Sequence, residues 1–210
     1  MPRVSSGTAL APERLRSGAG QILGRALSDI EADRLTKYLE LLIKWQRGQR
    51  LLGSSEPGWV VDHIVLDSLL FIRLLPSTAQ RILDLGSGAG VPGIPLKIVL
   101  EPVSFTLLEA RAKRVSFLST VVRELGLRRC EIVNGRVERM ADDLATSFDA
   151  VVMRCAGDPT HLANVALGVL KPAGIIVAAG PPRRRPTPEG EWSEVDGPLG
   201  RRLFWLLRKA

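Results

Sequence analysis

A glycine-rich segment between a short apolar run and a helical pattern is the feature that most restricts the fold of this chain. Residues 84–93 read Asp-Leu-Gly-Ser-Gly-Ala-Gly-Val-Pro-Gly, directly after the apolar run that begins at Arg81. Glycines at a strand-to-helix turn let a ligand approach the backbone, at the edge of the sheet where open α/β folds bind ligands. The segment therefore predicts a ligand-binding turn that contains Gly86, Gly88 and Gly90.

Two common phosphate-binding loops fit this segment poorly. The dinucleotide fingerprint Gly-x-Gly-x-x-Gly needs a glycine where this chain has Val91. A P-loop needs Gly-Lys followed by Ser or Thr, and the chain contains no such sequence. Both phosphate-binding interpretations are therefore weakened.

From residue 81 onward, short apolar runs alternate with helical patterns, which is typical of a parallel sheet with crossover helices. The predicted strands are 81–85, 103–108, 130–133, 148–153 and 174–179. The predicted helices are 93–100, 111–126, 137–144 and 160–170. Residues 180–198 are rich in Pro, Gly and charge and predict a mobile loop. The apolar run 201–208, with Trp192 nearby, predicts a closing antiparallel hairpin at the sheet edge.

The N-terminal part has a different pattern. Residues 1–27 contain Gly, Pro, Ser and Arg but no long continuous apolar run, and they are expected to be flexible. Ser28 and Glu31 match a capping box, and apolar residues then recur with helical spacing. A second helix is predicted over 60–75, ended by Pro76. We therefore expect a helical extension over 28–78 and a ligand-binding domain over 79–210.

Composition restricts the partner and the compartment. The chain has 210 residues, of which 45% are apolar, and a net charge of +7 that favours a polyanion such as nucleic acid. The excess of arginine over lysine can be explained by codon bias as well as by phosphate recognition.

Cys130 and Cys155 have neither disulfide-framework nor zinc-site spacing, so no metal is expected. Without a signal-like N-terminus or an apolar run of membrane-spanning length, we expect a cytoplasmic monomer that does not cross a membrane.

An acidic residue ends the next predicted strand. Glu109 stands where a carboxylate can accept hydrogen bonds from a ribose diol. Asp84, the three alternating glycines and Glu109 together resemble the class I S-adenosylmethionine-dependent methyltransferases. That resemblance implies a Rossmann-like, mostly parallel sheet flanked by helices. The alternative interpretation of these residues is a tight turn without a ligand, followed by a solvated glutamate at the strand end.

A longer stretch resembles one family within that class, GidB, also called RsmG. The string from Asp84 to Leu96 is similar to its cofactor loop, and four further segments agree in order. These segments are Leu66–Leu69, Lys113–Leu118, Gly135–Glu138 and Phe148 to Arg154. The resemblance implies methyl transfer to N7 of a guanine in 16S ribosomal RNA, as naked RNA or as a small-subunit particle.

The resemblance also implies which residues bind the cofactor S-adenosyl-L-methionine. From the methionine part to the adenine, the implied contacts are Gly86, Gly88, Gly90, Val91, Glu109, Ala110, Arg111, Val137 and Glu138. Arg154 is expected to border the methyl-transfer site, the alternative being a salt bridge with Asp158. Guanine N7 carries an in-plane lone pair, so no catalytic base is expected.

Three places depart from the family pattern. They are the segment Arg50–Gly53, the position of His63, and Ala179–Gly180. They leave two other functions open: a class I methyltransferase that acts on a small molecule or a protein, and a non-catalytic RNA-binding module with the same fold. His63 is interpreted as a hydrogen-bonded structural histidine.

Two groups of cations predict an RNA-binding face. One consists of Arg34, Lys37, Lys44 and Arg47 on one side of the first predicted helix, and the other is Arg183–Arg185. The alternative for both groups is that they are simply solvated.

Overall fold

The computed structural model describes residues 12–54, 56–154, 159–181 and 189–210, with no side-chain description at 159–161. Its centre is a seven-stranded sheet in the order β3-β2-β1-β4-β5-β7-β6. The strands are β1 (Arg81–Leu85), β2 (Ser104–Glu109), β3 (Cys130–Asn134), β4 (Phe148–Met153), β5 (Leu170–Ala179), β6 (Glu191–Gly197) and β7 (Gly200–Arg208). The first five are parallel, and β7 pairs antiparallel with both β5 and β6. The predicted α/β class is confirmed.

Register aligns the carboxyl ends of the central strands. Leu85 of β1 lies opposite Leu108 of β2, and Glu109 lies opposite Asn134 of β3. The chain runs from β1 outward to β3 and then returns to add β4 on the other side of β1. This reversal leaves a crevice at the carboxyl ends of β1 and β4, the usual ligand position in such sheets.

Helices cover both faces of the sheet. The predicted crossover helices are found as α5 (Gly93–Val99), α6 (Ala112–Glu124), α7 (Val137–Met140) and α8 (Pro159–Val169). One hydrophobic cluster joins α5, α6 and the N-terminal helices to one face of the sheet. A second cluster joins α8 and part of β7 to the other face.

The expectation that residues 1–27 are flexible is wrong for residues 12–23, which form helix α1 (Pro12–Leu23). Leu15, Ala19 and Ile22 recur at helical spacing and are buried. Gly18 allows close packing, because a Cβ there would lie 2.5 Å from a methyl group of Leu66. The glycines and arginines of this segment hide a short apolar stripe that tertiary packing is sufficient to stabilise.

Helix α2 (Asp29–Gln46) begins at the predicted capping box. The Ser28 hydroxyl accepts the Glu31 N–H, and the Glu31 carboxylate accepts the Ser28 N–H at 2.8 Å. Leu35, Leu39 and Leu42 are fully buried. The periodicity in the sequence therefore placed both the start and the buried face of this helix correctly.

The second helix, predicted over 60–75, is found as a run of helical turns over residues 57–73. It contains α3 (Pro57–Val60), a π-helical turn (Val61–Leu66), α4 (Asp67–Leu69) and a 3-10 turn (Leu70–Arg73). Single π turns are often found at functional sites. Here the turn carries Asp62, which pairs with Arg14 of α1, and His63.

Several boundaries differ from the sequence prediction, including the end of α7, which falls at Met140 rather than at 144. β5 begins at Leu170 rather than 174, because the chain passes from α8 directly into the strand. The mobile loop predicted over 180–198 is wrong for residues 191–197, which form β6 and complete the predicted hairpin with β7. Alternating polar and half-buried positions on this edge strand concealed it. Within the described residues, no helix is long and apolar enough to cross a membrane.

Candidate active site

The glycine loop leaves β1 through three left-handed residues. Gly86, Gly88 and Gly90 have φ values of +74°, +57° and +87°. The N–H groups of Gly86 and Ser87 both donate to the Leu108 carbonyl, at 2.9 and 3.0 Å. The loop is thus tied to the end of β2, and its backbone conformation explains the alternating glycines.

The glycines differ in what their missing side chains would meet. A Cβ at Gly90 would lie 2.6 Å from Cγ1 of Ile94, and one at Gly93 would lie 2.5 Å from Asp84 Oδ2. These two glycines allow α5 to pack against the sheet. A Cβ at Gly88 would meet nothing closer than the Arg114 guanidinium at 3.4 Å. The space beside Gly88 is therefore open to a ligand, and a side chain at this position would fill that space.

Glu109 joins the glycine loop to the next two strand ends. Its side chain is buried, Oε2 accepts the Gly88 N–H at 2.9 Å, and Oε1 accepts the Arg111 N–H at 2.8 Å. Its carbonyl accepts from Asn134 Nδ2 at 2.9 Å. Because an ionised carboxylate has about four acceptor positions, Glu109 retains capacity for a diol.

Asp84 lies beneath the loop with half of its carboxylate unsatisfied. Oδ2 accepts the Gly93 N–H at 2.9 Å, whereas Oδ1 is buried without a hydrogen-bond partner among the described residues. Burial raises the pKa of Asp84 to about 7. A buried acceptor without a partner needs an explanation, and a donor on a bound molecule or an ordered water would provide one.

Tyr38 is a contact of this loop that the sequence analysis missed. Its hydroxyl donates to the Ala89 carbonyl at 2.7 Å, from the buried face of α2. The available signal was a single tyrosine on an otherwise leucine-rich face, because a buried tyrosine hydroxyl needs a polar partner.

Arg154 follows the last residue of β4 and contacts the helical segment 57–73. Its guanidinium donates to the His63 carbonyl and lies 3.8 Å from Asp67 Oδ2. Asp67 Oδ1 also accepts from Arg202 Nε of β7 at 3.0 Å. His63 Nδ1 lies 3.3 Å from the same carboxylate, which fits the predicted structural role. The alternative partner Asp158 lies outside the described residues.

The other predicted site residues lie around the same sheet edge. Ala110 and Arg111 are exposed at the end of β2, and Val91 is half-buried in the glycine loop. Val137 is buried at the start of α7, and Glu138 beside it is exposed. The structure thus gathers the predicted residues at the carboxyl ends of β1 to β4, except that Gly90 packs against the interior.

A family model described as GidB, rRNA small subunit methyltransferase G, matches residues 31–181. The chain belongs to this family. A ribosomal RNA small subunit methyltransferase G from Stutzerimonas stutzeri is 39% identical over 142 residues, which cover 68% of this chain and 65% of that protein. The protein of the same name from Ralstonia nicotianae is 35% identical, covering 81% of this chain and 79% of its own length.

Comparison with solved structures identifies the fold. The O-methyltransferase TomG from Streptomyces achromogenes, in complex with SAM, has a TM-score of 0.58 and 17% identity, covering 96% of this chain and 100% of TomG. At this identity the likeness shows the class I methyltransferase fold alone.

The departures from the GidB pattern have local structural roles. Gln46 Oε1 accepts the N–H groups of Leu51 and Leu52, which folds the segment after α2 against the helix end. Gly180 lies so close to the Trp192 ring that a side chain there would overlap it. His63 packs against the Trp59 ring, with centroids 4.9 Å apart. These contacts stabilise the fold around the site.

Proposed function

We propose that this chain transfers the methyl group of S-adenosyl-L-methionine to N7 of a guanine in 16S ribosomal RNA. The observation that carries the proposal is the GidB match over residues 31–181, which includes every predicted site residue. The relatives' names specify small-subunit ribosomal RNA. A ribosomal substrate implies that the protein acts in the cytoplasm, and we expect it to act as a monomer.

The residues at the sheet edge fit S-adenosylmethionine. The open side of Gly88 offers room beside the loop backbone, and the partnerless Asp84 Oδ1 offers an acceptor below it. Glu109 would accept from the ribose hydroxyls, with Ala110 and Arg111 beside it, and Val137 and Glu138 would border the adenine. When bound, the cofactor supplies an electrophilic methyl group.

This reaction requires the protein to position the reacting groups and does not require a proton transfer. Guanine N7 has its lone pair in the plane of the base at neutral pH, so it can attack without losing a proton. Holding the nucleophile, the methyl carbon and the sulfur in line is an orientation effect that needs no catalytic side chain. The chain's contribution is therefore a rigid loop, held by Leu108, Glu109 and Tyr38.

Arg154 is the cation best placed to meet the substrate base. It comes directly after β4, beside the crevice, and Asp67 and the His63 carbonyl hold its guanidinium. A bidentate arginine contact to O6 and N7 of guanine would block the nucleophile. We therefore assign to Arg154 a contact with O6 or with a phosphate.

The test is methyl transfer from radiolabelled S-adenosylmethionine to small subunits and to naked 16S RNA, both lacking the modification. Digestion to nucleosides should give labelled 7-methylguanosine, and Gly88→Val should give none while remaining folded. Label in protein or in a small molecule, but not in RNA, would support the alternative methyltransferase. Cofactor-independent RNA binding without transfer would support the non-catalytic module.

A further inference from the structure

The geometry points to an RNA-binding surface formed by the end of α2 and the first turn of α6. We call this surface the α2–α6 basic patch and define it as Lys44, Arg47, Arg50 and Lys113. We infer that it binds the phosphate backbone of the substrate RNA beside the cofactor loop. This inference rests on the proposed function and names the surface through which that function acquires its substrate.

The first observation is that the cations of this chain divide into paired and unpaired groups. Many arginines serve the fold: Arg14 pairs with Asp62, Arg25 with Glu31, and Arg202 with Asp67. Within the described ranges, the patch residues have neither a carboxylate at salt-bridge distance nor a side-chain hydrogen bond. All four residues of the patch are exposed. Their charges are therefore available to an external polyanion.

The second observation is that two elements bring these cations together. The rings of Trp45 in α2 and Phe117 in α6 contact each other edge to face, with centroids 5.6 Å apart. Lys113 precedes Phe117 by one helical turn and therefore lies on the same side of α6. Lys44 precedes Trp45 in the last turn of α2, and Arg47 is the C-cap residue of the same helix.

The segment after α2 keeps Arg50 at the same place. Gln46 Oε1 accepts the Leu51 and Leu52 N–H groups at 2.7 and 2.8 Å, and Gln46 Nε2 donates to the Leu52 carbonyl. These bonds fold the chain back on the helix end directly after Arg50. The segment that departs from the family pattern thus adds a cation to the patch.

The patch faces the reaction edge of the sheet. Helix α6 begins at Ala112, three residues after the end of β2, and Tyr38 of α2 reaches the glycine loop at Ala89. The patch also contains no acid, since no Asp or Glu occurs in residues 41–55 or 112–123. RNA bound here would pass beside the cofactor loop.

Other unpaired cations are less suitable. Arg136 and Arg139 lie near Glu138, Asp142 and Asp143, which offset their charge. Arg34 lies in the second turn of α2, away from the helix end that carries the patch. Arg183–Arg185 lie outside the described residues.

Two exposed and unpaired cations provide a matched control. Arg128 precedes β3, and Arg208 lies opposite Ile175 near the start of the parallel part of β5. Both are at the amino edge of the sheet, away from the cofactor loop. Arg128→Ala/Arg208→Ala therefore removes the same net charge as Arg47→Ala/Lys113→Ala without touching the patch.

The experiment measures binding of naked 16S RNA to the full chain between about 50 and 200 mM KCl. The slope of log affinity against log salt is negative, and each lost phosphate contact lowers its magnitude by about 0.7 to 0.9. The patch double variant should therefore have a slope whose magnitude is smaller by about 1.4 to 1.8. The control double variant should keep the wild-type slope. Both variants should keep wild-type S-adenosylmethionine affinity by calorimetry, and Arg47→Lys/Lys113→Arg should restore the slope.

The outcomes separate the patch from the proposed function. If the wild type methylates RNA but the patch double variant keeps the full slope, the patch is overturned and the function stands. If the patch variant and the control variant lose the same amount of salt slope, the effect comes from net charge alone, and the patch is also overturned. If the wild-type chain neither binds nor methylates RNA, the proposed function fails and the patch with it.

Discussion

Gly88 and Gly90 have the same kind of backbone conformation but different surroundings. Both have positive φ, so alanine introduces backbone strain of about 1–2 kcal/mol at either position. Only at Gly90 would the new Cβ overlap a packed side chain, Ile94. We therefore expect Gly90→Ala to lower the free energy of unfolding by a further ~1–3 kcal/mol, as overpacking does.

Gly88→Ala should instead act on the cofactor. Its Cβ points to the space proposed for the ligand, so S-adenosylmethionine affinity should fall while stability changes by the strain alone. Urea unfolding and calorimetry on both variants test this pair. Wild-type cofactor affinity in folded Gly88→Ala would contradict the assignment of the loop.

Asp84 should make stability depend on pH in the direction opposite to most carboxylates. Its folded pKa is about 7, whereas an unfolded aspartate titrates near 4. The folded chain therefore holds a proton that the unfolded chain has released. The resulting stability is complete below about pH 4 and is lost as pH rises through about 7, with an upper limit of about 4 kcal/mol.

The variant Asp84→Asn removes this titration and keeps an acceptor for the Gly93 N–H. The wild-type free energy of unfolding, minus that of the variant, should decrease between pH 4 and 8 in urea titrations. Taking the difference cancels carboxylates such as Glu31, whose pKa is lowered chiefly by its hydrogen bond with Arg25. Parallel stability curves for the two proteins would rule out the buried protonated aspartate.

At the scale of elements, Asp67 joins three parts of the chain. It lies in α4, contacts Arg202 of β7, and lies near Arg154 after β4. Asp67→Asn leaves two partly buried guanidiniums without their anion, which should cost ~1–3 kcal/mol of stability. Because Arg154 would lose its orientation, kcat for RNA methylation should fall while cofactor affinity stays unchanged.

Asp196→Asn is the matched control, because Asp196 pairs with Arg201 at 3.4 Å and its side chain is 83% exposed. A surface pair of this kind contributes about 0–1 kcal/mol, so its loss should change neither stability nor kcat appreciably. Equal effects of the two substitutions would mean that Asp67 does not position Arg154.

Sequence patterns predicted elements better than contacts between elements. The five parallel strands were found because each contains a short apolar run, although β3 is only partly buried. Helix α2 was found because Ser28 and Glu31 cap it. Helix α1 was missed because three small apolar contacts among glycines and arginines give a weak pattern. The contacts of Tyr38 with Ala89 and of Asp67 with Arg202 could not be predicted, since no local pattern specifies which distant residues meet.

At the scale of the whole molecule, the N-terminal helices and the sheet share one core. A single hydrophobic cluster contains Leu15 of α1, Leu35 of α2 and Phe105 of β2. The division between an extension over 28–78 and a domain over 79–210 stays a prediction, but a shared core favours cooperative unfolding. We expect one transition in urea.

The tryptophans allow this to be measured. Trp45 and Trp59 report on the helical part, and Trp192 and Trp205 report on the hairpin beyond β5. In each variant that retains only one of these pairs, the fluorescence midpoint in urea should match that variant's own far-ultraviolet circular dichroism midpoint. Separate midpoints would show that the helical part is an independent unit.

The hydrogen bond from Tyr38 to the glycine loop has a consequence for how RNA and the cofactor affect each other's binding. Helix α2 carries this bond on its buried side and part of the basic patch at its end, so one helix connects the loop proposed to bind the cofactor with the surface proposed to bind RNA. If RNA moves α2, the Ala89 carbonyl moves with it and cofactor affinity changes by some factor. Thermodynamic linkage requires that the cofactor change RNA affinity by the same factor. Through α2, the affinity for RNA would then depend on whether the cofactor site is occupied.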